Sequence, residues 1–357
     1  MRATTQRGAL LETLGKVKSA VAARHTLPVL GAVMIRAGGG QLTLTATNLE
    51  VSLTAFCKAT VTRQGAIAVL PKTLEAFLKA VKSETVTLSL VNNKLLRVEA
   101  GAVTTLEGFE AQEFPDVPGV KGKAVEVRGL ADALKQISYA MAGDDSRPVL
   151  KGVCFTPDKG TVVLCAADGF RLAETKVKAK GSIEQTVVPS TAVQLIEKLM
   201  SGKVSIHRKK ENGQSDKYPT ISFVGDGLVL TAMAIQGTYP NYKQVIPKNG
   251  SPVTMDSKAL REALNLVSIT LPDNNVVRMQ SQRGNVILST KNEERGETQV
   301  KVPAKGKVKM AFNSEHLKSL LSRTSGMVTL RTTSAQSPGV VRRNGTIHVL
   351  MPMCVEW

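Results

Sequence analysis

Apolar residues recur at helical spacing in three places along the chain: Leu10, Leu11, Leu14 and Val17; Leu130, Leu134 and Ile137; Leu260, Leu264 and Leu266. A period near 3.6 puts such positions on one face, so each stretch predicts an amphipathic helix. Three more helices are predicted from start signals: Pro71-Lys72-Thr73-Leu74, Pro189-Ser190-Thr191-Ala192 and Asn313-Ser314-Glu315. Ser, Thr and Asn side chains cap free amides, and proline fits a first turn. The apolar positions Leu78, Ile196 and Leu320 then align behind those starts. Residues 85–90 alternate with period two, as a half-buried strand does. Residues 227–233 form a short apolar run after a glycine, which suits a more buried strand.

The elements repeat. Leu27-Pro28-Val29-Leu30, with Leu42-Thr43-Leu44-Thr45-Ala46-Thr47-Asn48 after it, recurs 120 residues on as Arg147-Pro148-Val149-Leu150 and Val162-Val163-Leu164-Cys165-Ala166-Ala167-Asp168. A third copy follows at an offset of 124, where Leu164 becomes Leu288 and Asp168 becomes Asn292. Each copy reads helix, strands, helix, strands. A repeat of this length predicts three similar α+β domains, 1–120, 121–248 and 249–357, each with two helices packed on antiparallel sheets. The joins at 118–123 and 247–250 are rich in Gly, Pro and Lys, as linkers are.

Composition narrows the partner. The 357 residues are 42% hydrophobic and 21% charged, a globular balance, with no run apolar enough for a membrane span. The start of the chain lacks the apolar core of a secretory signal. The four cysteines form no C-x-x-C pair, so they read as reduced thiols of a cytoplasmic protein. The net charge of +18 points to a polyanion, most simply nucleic acid. It is shared evenly: +6 over residues 1–124, +5 over 125–248 and +7 over 249–357. With only 4% aromatic residues to stack on bases, contact with phosphates is favoured.

Catalytic chemistry is absent from the pattern. There is no P-loop, dinucleotide fingerprint, H-E-x-x-H or G-x-S-x-G motif. His25, His207, His316 and His348 are too scattered for a metal site, and Asp144-Asp145 reads as a solvated turn. No catalytic residue, metal or cofactor is expected. Three basic repeats without chemistry suggest a scaffold that holds nucleic acid.

Four segments carry a family resemblance: Thr26-Leu27-Pro28-Val29-Leu30-Gly31, Ala167-Asp168-Gly169-Phe170-Arg171-Leu172-Ala173, Tyr239-Pro240-Asn241-Tyr242-Lys243-Gln244-Val245-Ile246-Pro247 and Met351-Pro352-Met353. In order and spacing they resemble the bacterial sliding clamp, the beta subunit of DNA polymerase III. The resemblance implies a head-to-tail homodimer, a ring of six similar domains with helices lining the hole and sheets outside. Residues 104–109 and 268–271 are the expected contacts between subunits. Such a ring would encircle double-stranded DNA and confer processivity on a polymerase.

The resemblance also implies a pocket that receives short linear peptides of DNA polymerase and the clamp loader. Carried over, it would use Leu150, Gly169, Arg171, Leu172, Pro240, Val245, Val349, Met351, Pro352 and Met353. Arg24 matches a DNA-contacting position of the family, and Lys72, Lys79, Lys135 and Lys198 are helix cations suited to weak phosphate contacts. The chain departs from the family in its high charge, in Ala167, Phe170 and Gln244, and in the tail to Trp357. That tail would either fray or fold over the pocket. The competing reading is a basic non-ring protein that coats nucleic acid without sequence preference.

Overall fold

The computed structural model describes residues 1–22, 27–208 and 219–357. Among them six α-helices stand where the pattern places them: α1 (Arg7–Val17), α2 (Pro71–Ala80), α3 (Leu130–Ile137), α4 (Ser190–Leu199), α5 (Ser257–Val267) and α6 (Ser314–Leu321). Their buried positions keep the helical spacing, for example Leu10, Leu14 and Val17 in α1 and Leu260, Leu264 and Val267 in α5. The start signals act differently from one another. Asn313 caps α6, its side-chain oxygen accepting from the Glu315 and His316 amides at 2.9 and 3.2 Å. Pro71 occupies the first turn of α2, but the residue before it is Leu70 and no side chain caps that end. Asp256 caps α5 at 3.0 and 2.9 Å, a start that periodicity alone does not mark.

Two arginines close helix ends. The Arg7 guanidinium donates to the Leu78 carbonyl in the last turn of α2 at 3.0 Å and to the Ser83 carbonyl just beyond it at 2.9 Å, and Arg261 donates to Leu321 at 3.1 Å at the end of α6. A cation there meets the carbonyls that a helix leaves unpaired.

The strands pair antiparallel throughout. The period-two stretch lies in strand Thr85–Asn92 and the apolar run in strand Leu228–Met233. By contact the chain forms two compact units. The first holds Met1–Ala131, Ala179–Glu184 and Thr191–Ala234, and the second holds Asp132–Lys178, Gln185–Ser190 and Ile235–Trp357. The middle repeat is therefore shared between units, and the register shows why. In the first unit, strand Leu228–Met233 pairs with strand Val51–Arg63, with Leu228 opposite Ala55 and Ala232 opposite Val51. In the second, strand Arg171–Lys180 pairs with strand Thr346–Leu350, with Leu172 opposite Val349. Each junction satisfies backbone groups that a free sheet edge would expose.

The second unit contains two apolar clusters. One fills the third repeat, around Met255, Leu264, Met279, Leu288 and Phe312. The other gathers Leu150, Cys154, Cys165, Leu172, Val187, Tyr239, Val340 and Val349. The candidate pocket is the mouth of this second cluster.

Candidate functional site

The pocket is a cleft with about 240 Å³ of room, wholly within the second unit. Its floor is made of Leu150, Leu172 and Val349, all buried members of the apolar cluster. Leu172 and Val349 face each other across the strand pair that joins the second and third repeats. The rim is apolar but wet: Val245 is 46% and Met351 38% exposed. Val245 ends a short helical turn, Tyr242–Val245, and Met351 follows strand Thr346–Leu350. Exposed apolar residues around an apolar floor are what a partner's side chain can cover.

A tight turn shapes one wall. Asp168 Oδ1 accepts from the amides of Phe170 and Arg171 at 2.9 and 2.8 Å, while Oδ2 accepts from Arg171 Nε at 2.7 Å. Gly169 completes that turn at φ 94°, a left-handed backbone that residues with a Cβ rarely adopt. Arg171 is thereby fixed, and its guanidinium stacks over the Tyr139 ring at 5.6 Å. Tyr139 in turn hydrogen-bonds His348 Nδ1 at 2.9 Å. Burial, aided by Arg323, pushes the His348 imidazole down to about 4. Burial also raises the Tyr139 hydroxyl. On the far side Tyr242 donates to Glu174 at 2.6 Å, and burial together with that bond raises its hydroxyl as well. The polar groups beneath the cleft are thus held in paired, fixed states, and the cleft itself offers an apolar surface with Arg147 and Arg171 on its lining.

Eight of the ten expected pocket residues line this cleft. Pro352 and Met353 do not. The chain leaves the cleft after Met351, whose amide donates to the Phe170 carbonyl at 2.8 Å, and Met353 instead donates to Ala311 at 2.8 Å. Arg147, Asn241 and Tyr242 also line it and were not expected. Tyr242 carried a signal, since Tyr239-Pro240-Asn241-Tyr242 is a turn-forming aromatic pair. Its orientation comes only from the fold, where the two rings meet edge to face at 6.2 Å. Ala167 lines the cleft, while Phe170 is 63% exposed and stands 5.9 Å from the His316 ring on α6.

The tail to Trp357 takes neither expected course. Trp357 is absent from the cleft lining, and its ring lies under Lys309 Nζ at 4.9 Å. The Glu356 carbonyl accepts from Arg278 at 3.4 Å. The tail is drawn to strands Val276–Gln282 and Lys309–Asn313, whose cations supply its contacts.

Of the expected DNA contacts, Arg24 lies outside the described residues. Lys72, Lys79, Lys135 and Lys198 are all exposed, on α2, α3 and α4. Lys79 is paired with Glu75 at 2.7 Å and Lys135 with Asp132 at 3.8 Å, while Lys198 donates to Ser19 at 3.3 Å. Glu75 also holds Lys18 at 2.6 Å, so α2 presents less free charge than its lysines suggest. Among the described residues no group of three or more His, Cys, Asp and Glu could hold a metal ion. No described helix is long and apolar enough to cross a membrane.

Three repeats of helices on antiparallel sheets, joined edge to edge and bearing an apolar cleft with room for a partner's side chains, define a binding protein of the clamp architecture. The chain belongs to the family of the DNA polymerase III beta subunit. It matches that family's N-terminal domain over residues 1–118, its central domain over 124–241 and its C-terminal domain over 243–353. It is 29% identical to the beta sliding clamp of Pseudomonas putida, over 99% of this chain and all of that protein. Among solved structures, the DNA polymerase sliding clamp of Bacillus subtilis superposes with a TM-score of 0.90 at 21% identity, covering all of both chains. The Pseudomonas aeruginosa sliding clamp bound to griselimycin gives 0.89 at 26% identity, over 99% of this chain and all of that one. This kinship favours the clamp over the coating protein.

Proposed function

We propose that this protein is a DNA sliding clamp, a non-enzymatic processivity factor that encircles duplex DNA and tethers the replicative polymerase. The observation that carries the reading is the succession of three beta-subunit domains along the whole chain, together with the apolar cleft beneath Val245 and Met351. Two copies would close head to tail. A heterologous contact gives a ring when its rotation closes. Strand Val103–Glu110 supports this: through residues 103–107 it pairs, among the described residues, on one side only, with Leu95–Glu99, and Val103 is 57% exposed. In the second unit Ile269, within the segment 268–271, is 68% exposed. Each is an unsatisfied surface of the kind that a second copy covers.

In this reading the three domains meet near residues 120 and 248, and the clamp works in the cytoplasm. A closed ring cannot leave DNA sideways, so it needs no tight grip. Exchangeable phosphate contacts from Lys72, Lys79, Lys135, Lys198 and Arg24 let it slide. The cleft, formed by Leu150, Leu172, Val349 and their neighbours, receives apolar side chains of short peptides from the polymerase and the loader. Methionine at its rim suits several related peptides. Negative-stain microscopy tests the reading. Class averages should show six-lobed rings with a central hole, whereas crescents or compact monomers at micromolar concentration would defeat it.

A further inference from the structure

A second cleft, of about 720 Å³, lies wholly in the third repeat and shares no residue with the peptide pocket. Three parts build it. They are the turn between strands Val276–Gln282 and Asn285–Asn292, the step from strand Gly296–Gly306 to strand Lys309–Asn313, and the loop after strand Met327–Thr332. Arg283, Lys307 and Lys309 line it, and no carboxylate does. All three cations are exposed, and none is ion-paired among the described residues. The remaining lining is largely serine, threonine and glutamine.

The cleft is structurally held. Gly306, at φ 115°, packs so close to the Pro252 carbonyl oxygen that a Cβ would run into it. Ser281 Oγ accepts from the Val308 amide at 2.8 Å and bridges the step. Arg283 sits in the turn at φ 46°, ahead of Gly284 at 78°. Left-handed backbone is unfavourable for an arginine, but a two-residue hairpin turn requires it, as it does at Asp226-Gly227 and Asn344-Gly345. The matching turn of the first repeat is Gly39-Gly40, at 57° and 73°, where no such penalty arises. The first repeat's cleft at the step Arg63–Gly65 is lined by the Glu110 carboxylate, Arg63 and the chain's first residue, Met1, with its amino group. The third repeat's cleft thus carries three side-chain cations and no carboxylate, where the first repeat's cleft carries a carboxylate beside its cations. Beside it stands Trp357, the only tryptophan, 48% exposed and in contact with Lys309.

We propose that this cleft binds single-stranded DNA, with phosphates on Arg283, Lys307 and Lys309 and an unstacked base on Trp357. Cations track the backbone and an aromatic face takes a base, which a duplex does not release. The test uses the full chain and dye-labelled oligothymidine, followed by anisotropy and Trp357 emission across a salt series. Oligothymidine should quench the wild-type emission. The triple variant R283Q/K307Q/K309Q should bind several-fold more weakly, with the log–log salt slope reduced by about two, since each single-strand phosphate contact contributes about 0.7. Duplex DNA should bind both proteins alike. W357A, which keeps every cation, should weaken the oligonucleotide and leave the slope unchanged. Equal affinity and slope in the triple variant with an unchanged melting temperature would overturn the proposal. So would a wild type whose emission ignores the oligonucleotide, or a duplex weakened as much as the single strand.

Discussion

Replacing Ala167 with leucine adds three carbons to a lining position of a cleft with only about 240 Å³ of room. The added group lies beside Leu150 and Leu172 and occupies space that a partner's apolar side chain would take. Burying one such side chain contributes about 1.5–3 kcal/mol, and each 1.4 kcal/mol is about tenfold in affinity. Ala167→Leu should therefore weaken clamp-binding peptides by about tenfold to a hundredfold. The assay is fluorescence anisotropy of short labelled peptides with apolar side chains, selected first on the wild type. Overpacking a core costs about 1–3 kcal/mol, so melting temperature and ring assembly are measured alongside. Ala167 is half-buried and its cluster opens to water at Val245 and Met351, which gives the leucine somewhere to go. An intact ring whose peptide affinity stays within twofold of wild type would show that partners do not fill this cleft.

Other consequences follow from the same geometry. Gly169→Ala meets only the Arg147 guanidinium, at 3.7 Å, but keeps φ 94°, so urea unfolding should show a loss of roughly 1–2 kcal/mol from the backbone alone. His348 titrates near 6.5 unfolded and about 4 folded, so the unfolded chain binds more protons between those values. Stability is fully present above pH 6.5 and falls as pH drops towards 4, by up to about 3 kcal/mol. A urea midpoint that stays flat from pH 6.5 to 5 would contradict the burial of that imidazole. Exchanging Lys72, Lys79, Lys135 and Lys198 together for glutamine should lower the salt slope of duplex binding by up to about 3–4, with Lys79 contributing least because Glu75 already holds it. An unchanged slope would place the DNA contacts elsewhere.

Much of the architecture was legible because it is periodic. Leu10, Leu14 and Val17 announce α1, and offsets of 120 and 124 announce three copies of one unit. Eight cleft residues were legible through the family's motifs. Other features of the site were not legible, for physical reasons. Pro352 and Met353 belong to the motif but follow Met351 away, because Met353 hydrogen-bonds Ala311. Tyr242 reaches the cleft through a short helical turn that no periodicity encodes. His348 looked like any scattered histidine, yet it is a buried partner of Tyr139, more than two hundred residues away in the chain.

Sequence alone determined the helices, the repeat and the overall charge: helices follow from spacing within a few residues, the repeat from comparing stretches 120 and 124 residues apart, and the charge from composition. Only the tertiary structure decided which strands join the repeats, which side of Leu172 is core and which is cleft, and where the tail comes to rest. Those outcomes depend on edges that must find hydrogen-bond partners and on cations such as Lys309 and Arg278 that meet distant groups. Such pairings are set by proximity in space, and no local pattern records them.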